Sequence, residues 1–382
     1  MEYRLDELFD LQMGKTPSRN NPEYWNTKDN KWISIADLSK CGKYIDTTKE
    51  FISNKAVSES GIAQIPENTV IMSFKLSIGK TAITTESMYS NEAIISFRDK
   101  HIVEVLPEYL YYLVLSKDWS VGTNKAVMGK TLNKATLSKI KVNIYDISQQ
   151  HEVVDILDKV NNVILSRKQE LQKLDELVKS RFVEMFGDPN DNPKGYSKKQ
   201  LKDTCRVITG NTPSRAVSEY YGEHIEWIKT DNIVSGLLNP TTATESLSEK
   251  GMAVSRTVES GAILMVCIAG SIASIGRVCV TDRKVSFNQQ INAIVPSDYN
   301  ILFLYVMLQI SKEYLVDEIN MALKGILSKS KLEEKTFYVP PIELQEQFAA
   351  FVEQTDKSKF AVQQALDKAQ LLFDSLMQKY FG

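Results

Sequence analysis

A short polar turn with the residue types of a phosphate clamp occurs twice in the chain. Residues 14–19 read GKTPSR, and residues 210–215 read GNTPSR. Glycine followed by Thr-Pro-Ser favours a tight turn that exposes hydroxyl groups and a guanidinium group. Hydroxyls, backbone N–H groups and arginine all suit phosphate oxygens, although a plain turn at the end of a strand would explain the same residues. The candidate phosphate contacts are Lys15, Thr16, Ser18, Arg19, Asn211, Thr212, Ser214 and Arg215.

Two other cationic segments also recur. A glycine loop rich in lysine occupies residues 129–134 (GKTLNK) and 324–329 (KGILSK), and Ile-Gly-Lys at 78–80 is matched by Ile-Gly-Arg at 275–277. A solvated loop and a structural hairpin are the simpler interpretations. Their recurrence in copies that have otherwise diverged favours contact with a DNA backbone. These segments add the candidate DNA contacts Lys80, Lys125, Lys130, Lys134, Arg277, Lys324, Lys329 and Lys331.

The sequence offers no catalytic constellation. The segment at 79–81 (GKT) is similar to the end of a P-loop, but Phe74 stands where an earlier glycine of that motif belongs. The histidines have no recurring acid or nucleophile as partner, and the cysteines are not at metal-ligand spacing. We therefore predict a protein that is not an enzyme, with no cofactor or metal and with reduced thiols. The residues concerned are His101, His151, His224, Cys41, Cys205, Cys267 and Cys279.

Composition places the chain among ordinary globular proteins. Its 382 residues are 43% hydrophobic and 25% charged, and the formal net charge is −2. No apolar run is long enough to span a bilayer, and the first residues lack the basic and apolar regions of a signal peptide. We expect a cytoplasmic protein with no membrane contact. Because the net field is weak, local basic faces must carry any contact with DNA.

A long predicted helix at residues 149–187 positions the cationic segments. Its apolar residues alternate at spacings of four and three, which is the a/d seam of a coiled coil. Arg167 and Arg181 occupy the two polar seam positions. Such a helix is about 50 Å long, and its seam needs a partner. The apolar seam residues are Val153, Leu157, Val160, Ile164, Leu171, Leu174, Val178 and Met185.

The partner seam lies 195 residues further along the same chain. Adding 195 to each seam position gives residues that are apolar or aromatic except at two places, and both predicted helices end in Phe-Gly. A shared period with a shared end identifies an internal duplication. The second seam is Phe348, Val352, Thr355, Lys359, Val362, Leu366, Ala369, Phe373, Leu376 and Tyr380.

The duplication defines the domain organisation. We predict globular domains at 1–148 and 188–343, a central helix at 149–187 and a C-terminal helix at 344–382. Residues 70–74, 82–84 and 93–97 read as strands, and residues 106–116 read as a buried helix. The fold class is therefore α+β. Two pseudo-two-fold-related globular domains are joined by a pair of long antiparallel coiled-coil helices.

On these residues the chain resembles the specificity subunit of type I restriction-modification systems. The resemblance rests on the Gly-x-Thr-Pro-Ser turn, on Trp32-Ile33 followed by Asp37, on Ser-Ile-Gly-Lys at 77–80, and on residues 339–347 (VPPIELQEQ) before the second helix. It covers the whole chain. The first copy departs from the last motif, because residues 144–150 (IYDISQQ) lack both prolines.

The resemblance implies a non-catalytic DNA-recognition subunit. Each of two target-recognition domains would read one half of a split, asymmetric site in double-stranded DNA. The helices would act as a spacer and dock two methyltransferase subunits, and restriction subunits would join through these. The alternative is a coiled-coil scaffold protein without DNA specificity, which leaves the repeated basic loops unexplained.

Overall fold

The computed structural model describes residues 1–75, 77–119, 134–317, 319 and 325–382. The chain forms two compact units. Unit 1 comprises residues 1–166 and 366–382, and unit 2 comprises residues 167–365. The loop lysines Lys125, Lys130 and Lys324 lie outside the described residues.

Unit 1 is built on a mostly antiparallel sheet with a smaller sheet beside it. The main sheet has the strand order Phe9–Met13, Ile94–Asp99, Val70–Ser73, Thr81–Thr84 and Tyr44–Ile45, of which the last pair is parallel. The smaller sheet has the order Glu50–Ile52, Asn30–Ile33 and Tyr89–Ser90, and Glu2–Arg4 pairs with Lys141–Asn143. Short helices span Leu5–Leu8, Pro22–Tyr24 (a 3₁₀ turn), Ile35–Leu38, Asn54–Ser60, Pro107–Ser116 and Lys134–Ser138.

Unit 2 repeats this plan. One sheet has the order Cys205–Thr209, Ile291–Pro296, Ile263–Val266 and Val278–Val280, and the other has the order Ser246–Leu247, Tyr221–Ile228, Val285–Phe287 and Thr257–Val258. Lys198–Gln200 pairs with Thr336–Tyr338, and Ile268–Ala269 pairs with Gly325–Ile326. Helical segments span Leu201–Thr204, Ser218–Tyr220, Thr230–Asn232, Glu249–Val254, Ile301–Ile310, Lys312–Val316 and Lys329–Glu334.

The predicted elements in the first copy are present with small shifts at their ends. The three strands expected near 70, 82 and 93 are Val70–Ser73, Thr81–Thr84 and Ile94–Asp99. The buried helix is Pro107–Ser116, where the proline occupies the first turn and so loses no helical hydrogen bond. Its counterpart, Ile301–Ile310, is capped by the side chain of Asn300.

The two long helices are Ile147–Phe186 and Ile342–Phe381, each of 40 residues. In unit 1 the start of the first helix shares a hydrophobic core with the end of the second. In unit 2 Phe182 and Phe186 pack against Phe348, and further along Lys359 binds Asp175. The helices therefore run antiparallel within each unit, which confirms the predicted pairing.

The predicted seam contains eight buried residues, and its two arginines bind carboxylates on their own helix. Buried members are Val153, Leu157, Ile164, Val178, Phe348, Val352, Thr355 and Val362. Arg167 donates to Glu170 (2.5 Å) and Arg181 to Glu184 (2.8 Å), each three residues on. The seam thus tolerates arginine because the guanidinium group finds a carboxylate on its own helix.

Near its end, each long helix also buries two residues in a globular core. The seam pattern did not predict these residues. Phe182 and Phe186 are buried in unit 2, and Met377 and Phe381 are buried in unit 1. They follow Val178 and Phe373 at spacings of four. A straight helix drifts away from a 3.5-residue seam by about 20° per heptad, so the helix ends turn these residues towards the globular part.

A buried glutamine fixes the first turn of each long helix. Gln150 accepts a hydrogen bond from the Leu106 backbone N–H (2.9 Å) and donates to the Tyr145 carbonyl oxygen (3.0 Å). Gln345 accepts from the Asn300 N–H (2.9 Å) and donates to the Pro340 carbonyl oxygen (2.8 Å). The same tether therefore holds the helix entry in the copy with the two prolines and in the copy without them.

Candidate nucleic-acid interface

The Gly-x-Thr-Pro-Ser-Arg turns follow the first strand of the main sheet in each unit. A Cβ atom on Gly14 would lie 2.2 Å from the Ser90 carbonyl oxygen, and one on Gly210 would lie 2.2 Å from that of Asn288. The next N–H donates to the facing strand, from Lys15 to Ser90 at 2.8 Å. Because backbone meets backbone at these points, only glycine fits.

In each unit a tryptophan from the second sheet donates a hydrogen bond to the backbone of the turn. The Trp32 indole N–H donates to the Lys15 carbonyl oxygen (3.1 Å), and that of Trp227 donates to the Asn211 carbonyl oxygen (3.3 Å). Both tryptophans are buried, as are the prolines of the two turns. The Thr16 hydroxyl is bound to Glu92, which lowers the pKa of that carboxyl. Thr212 is bound to Gln289 in the same way.

The arginine of the first turn is held by a carboxylate and aromatic rings. The Arg19 guanidinium group donates two hydrogen bonds to Glu50, one of them at 3.1 Å, and lies 3.7 Å from the Trp25 ring centroid. The hydrogen bonds that Arg19 donates to Glu50 raise the pKa of Arg19. This contact between a cation and an aromatic face adds to the ion pair.

The second turn has the same arrangement with one substitution. Arg215 donates to Glu245 (2.6 Å) and lies 4.4 Å from the Tyr221 ring centroid. Lys229 also binds Glu245 (2.8 Å), so that the pKa of this carboxyl is lowered first by Lys229 and then by Arg215. In both copies the arginine charge is already matched, while Ser18 and Ser214 remain exposed.

The other predicted contacts are distributed over several surfaces. Lys15 donates to the Ser60 carbonyl oxygen, and the Asn211 side chain binds the backbone of Val254 and Arg256. Lys80 and Arg277 follow glycines with φ of +91° and +78°, and Arg277 turns inward to the carbonyl oxygens of Ser274 and Thr230. Lys134 and Lys331 are exposed, and Lys329 pairs with Glu333 (3.5 Å).

Sequence reasoning missed the partners that hold the arginines. Glu50 and Glu245 lie 195 residues apart, as do Trp32 and Trp227. Within one copy nothing in the spacing of Arg19 and Glu50 suggests contact. The repeat offset was the available signal, because an acid recurring at that offset marks a shared role.

Neither a metal cluster nor a membrane-spanning helix is found in the described part of the chain. Among these residues no group of three or more His, Cys, Asp or Glu could hold a metal ion. None of the described helices combines the length and apolar character needed to cross a membrane. Cys205, Cys267 and Cys279 are buried free thiols, and burial raises the pKa of each to about 12.

Comparison with known proteins defines the class. The family model of the type I restriction modification DNA specificity domain matches residues 1–176 and again residues 193–370. The chain therefore belongs to the type I restriction-modification specificity subunits, which recognise DNA sequence and are not catalytic. This confirms the predicted family and recognition role, and a scaffold without DNA specificity does not fit it.

Individual relatives agree with the family match. The chain is 25% identical to the type I restriction enzyme MjaIX specificity subunit of Methanocaldococcus jannaschii, across 92% of this chain and 85% of that protein. It is 23% identical to the EcoR124I/EcoR124II specificity subunit of Escherichia coli, across 47% of this chain and 45% of that protein.

Solved structures share the fold. The type I restriction-modification S subunit from M. genitalium aligns over 100% of this chain and 96% of its own, with a TM-score of 0.58 and 13% identity. A chain from a structure of type I restriction-modification complex assembly aligns over 100% and 97%, with a TM-score of 0.57 and 16% identity. The predicted α+β fold of two domains and long helices is thus confirmed.

Proposed function

We propose that each unit reads one half of a split, asymmetric site in double-stranded DNA, and that the long helices set the number of unread base pairs between the halves. The observation that carries this proposal is the repeated turn framework. The same glycine, tryptophan, arginine and glutamate contacts hold the turn in both copies, while the surrounding residues differ. Two copies of one scaffold with different surfaces suit two different half-sites.

Exchanging one domain tests this assignment. We expect replacement of residues 189–343 by the equivalent segment of another specificity subunit to change one half of the methylated sequence only. The matched control replaces residues 1–148 and should change only the other half. Sequencing of methylated sites in cells carrying each chimaera provides the readout. A change in both halves from one exchange would contradict independent reading.

The cations of the turns would contact phosphates and so set the register on the duplex, while neighbouring polar residues read base edges. For Arg19 and Arg215 this requires a phosphate to replace the glutamate. The Arg19 and Glu50 side chains are 49% and 35% exposed, and a pair as exposed as this contributes at most about 1 kcal/mol. The exchange therefore costs little.

Substitution of the glutamate distinguishes a phosphate contact from a purely structural arginine. If Arg19 binds phosphate, Glu50→Gln frees the guanidinium group and should strengthen duplex binding, while Arg19→Gln should weaken it and reduce the salt slope by about one phosphate. If both variants weaken binding and leave the slope unchanged, Arg19 only supports the turn. Fluorescence anisotropy over a series of salt concentrations measures both quantities.

Methyltransferase subunits would dock on the long helices, with restriction subunits joining through them. Four exposed apolar residues form two pairs at the repeat offset: Leu165 (48% exposed) with Phe360 (65%), and Leu177 (49%) with Leu372 (51%). Apolar side chains retained on an exposed helix in both copies favour two equivalent protein contacts. The number of methyltransferase subunits would accordingly be two.

Charge substitutions on these helices test the docking proposal. Leu177→Asp should weaken one methyltransferase contact and leave the other, so that native mass spectrometry of the assembled complex shows one methyltransferase subunit instead of two. Val183→Asp is the control, because Val183 is exposed but its repeat counterpart is the polar Gln378. Equal effects of both variants would argue against a repeated contact.

A further inference from the structure

Unit 2 contains a cavity of about 240 Å³ where its two helical segments meet the globular part. Apolar side chains form one wall, from Val178, Leu238, Tyr305, Val306 and Val352. Charged side chains form the other wall. Its place between a hairpin and two long helices makes it a built feature of the fold rather than a groove in a surface loop.

The charged wall has more cations than anions. Lys179, Arg277, Lys312 and Lys359 face Asp175 and Asp356, and one of these pairs, Lys359 with Asp175, is an ion pair. Burial raises the pKa of the Asp356 carboxyl. Within the described part of the chain, Lys179, Arg277 and Lys312 make no salt bridge, so positive charge remains uncompensated.

Two of these cations lie close together. The Lys312 side chain passes over Gly276, where its Cγ lies 3.6 Å from the position of a Cβ, and so lies next to Arg277. Burial, and then the charge of Arg277, lower the pKa of Lys312. Among the described residues, both cations donate hydrogen bonds to backbone carbonyl oxygens and to no carboxylate, namely to those of Ala273, Ser274 and Thr230. Two like charges at a partly buried site are a cost that an anion between them would remove.

Unit 1 shows what the same place is like when side chains fill it. Tyr112 and Phe373 occupy the positions of Val306 and Val178, with ring centroids 6.1 Å apart. The Trp119 ring lies over Gly79, 3.1 Å from the position of a Cβ, where Lys312 lies over Gly276 in unit 2. In the described residues of the first copy aromatic rings therefore take the places of Val306, Val178 and Lys312, and no pair of cations forms there.

We propose that this cavity binds a phosphate group, held by Arg277, Lys312 and Lys179. The volume suits inorganic phosphate or pyrophosphate, because it equals that of roughly eight water molecules at about 30 Å³ each and is below the 300 Å³ or more of a typical site for a larger ligand. Guanidinium and ammonium groups are the usual phosphate partners in proteins. The phosphate is supplied either as the free ion or by a DNA backbone.

Calorimetric titration of the full-length chain with sodium phosphate and with pyrophosphate tests the site, at constant ionic strength set by sodium chloride. We expect one binding site per chain. Lys312→Gln and Arg277→Gln should each weaken binding about tenfold or more, as loss of one charge-assisted contact does. Val306→Tyr should abolish binding by restoring the ring of unit 1. Lys202→Gln, which changes an exposed lysine of unit 2 that does not line the cavity, is the control and should bind normally.

A surface substitution keeps the test decisive if a buried variant fails to fold. Lys179 is exposed on its helix, so Lys179→Gln should fold and still bind phosphate several-fold more weakly. No binding by the parent chain at millimolar phosphate or pyrophosphate, or equal binding by all variants, would overturn the proposal.

The same titration in the presence of duplex DNA identifies the source of the phosphate group. If the free ion is the ligand, a saturating duplex leaves phosphate binding unchanged, and Lys312→Gln does not alter DNA affinity. If a DNA phosphate occupies the cavity, the duplex competes with phosphate, and Lys312→Gln weakens DNA binding. Either result supports a phosphate site.

Discussion

In unit 1 the ammonium group of Lys43 binds both carboxylate oxygens of Asp158 (2.6 and 2.9 Å) and lies 4.8 Å from the Tyr112 ring centroid. In unit 2 the same position is Leu238, which packs against the hydrophobic core. The backbone is unchanged, because the carbonyl oxygens of Lys43 and Leu238 accept the same strand hydrogen bond, from Ile83 (2.9 Å) and from Val280 (2.7 Å).

The difference separates two kinds of residue in the repeat. Groups that fix the backbone recur, as Gln150 and Gln345 do with two matching hydrogen bonds each. Groups that only fill space have diverged from polar to apolar. A buried ion pair can be replaced by apolar side chains at little cost, whereas a buried backbone group without its partner cannot.

The aromatic core of unit 2 should give the largest effect. Phe303 is fully buried, with ring centroids of Phe182 and Phe186 at 5.3 and 4.8 Å. Phe303→Ala should cost about 4 kcal/mol of unfolding free energy, because it leaves a cavity where the helix end enters the core. Hydrogen exchange should show faster opening of residues 167–365 and little change in unit 1. Phe303→Leu is the milder control, and equal opening of both units would contradict separate cores.

Substitution of the turn glycine by alanine should have the next largest effect on stability. Gly14→Ala places a Cβ 2.2 Å from one backbone oxygen and 2.3 Å from another, so the strand ends must separate at a cost of about 2–3 kcal/mol. We expect weaker duplex binding together with a lower melting temperature. Gly42→Ala is the control, since nothing lies within 4 Å of its Cβ position. Similar losses from the two variants would show that the close approach does not matter.

In unit 1, removal of one partner of the ion pair between Lys43 and Asp158 should cost more stability than replacement of both partners by apolar side chains. Asp158→Ala leaves the Lys43 ammonium, whose side chain is 10% exposed, without its carboxylate, and should cost about 2 kcal/mol after allowance for the partial exposure of Asp158. Lys43→Leu together with Asp158→Leu should restore part of this loss, because the buried Tyr112 hydroxyl still lacks the acceptor that Asp158 provides. Urea denaturation followed by tyrosine and tryptophan fluorescence compares them. A double variant less stable than Asp158→Ala would mean that the pair itself is required.

The sequence predicted the parts of this protein that repeat at a fixed period. The 195-residue offset and the a/d spacing located both helices to within two residues at each end, because burial of one helix face imposes that spacing on the sequence. The spacing did not predict that Phe182 and Met377 are buried, because the ends of the helices pack against a globular core. The turn residues were found, but not their contacts, since Arg19 and Glu50 meet only through tertiary folding.

One ion pair occurs at the same positions in both units but with its charges reversed. Lys31 binds Glu86 in unit 1, and the same positions in unit 2 are Glu226 and Arg283, joined at 2.7 and 2.9 Å. In unit 2 both side chains also bind the backbone, because Glu226 accepts from the Ala243 N–H (2.7 Å) and Arg283 donates to the Thr241 carbonyl oxygen (3.4 Å). What the fold retains at this place is a complementary pair.

Reversal of the second pair should be less costly than either single change. Glu226→Lys should cost about 1 kcal/mol, and Glu226→Lys with Arg283→Glu should recover the part that comes from charge, giving a coupling of up to about 1 kcal/mol in a double-mutant cycle. The Ala243 N–H loses its acceptor in both variants. The hydrogen bonds from Arg283 lower the pKa of Glu226. Its contribution is therefore complete above the unfolded pKa of about 4.3 and is lost as the pH falls through the folded value. Thermal melts of Glu226→Gln and the parent chain should differ at pH 7 and converge towards pH 3, and a gap that persists there would show that Glu226 acts through packing and not through charge.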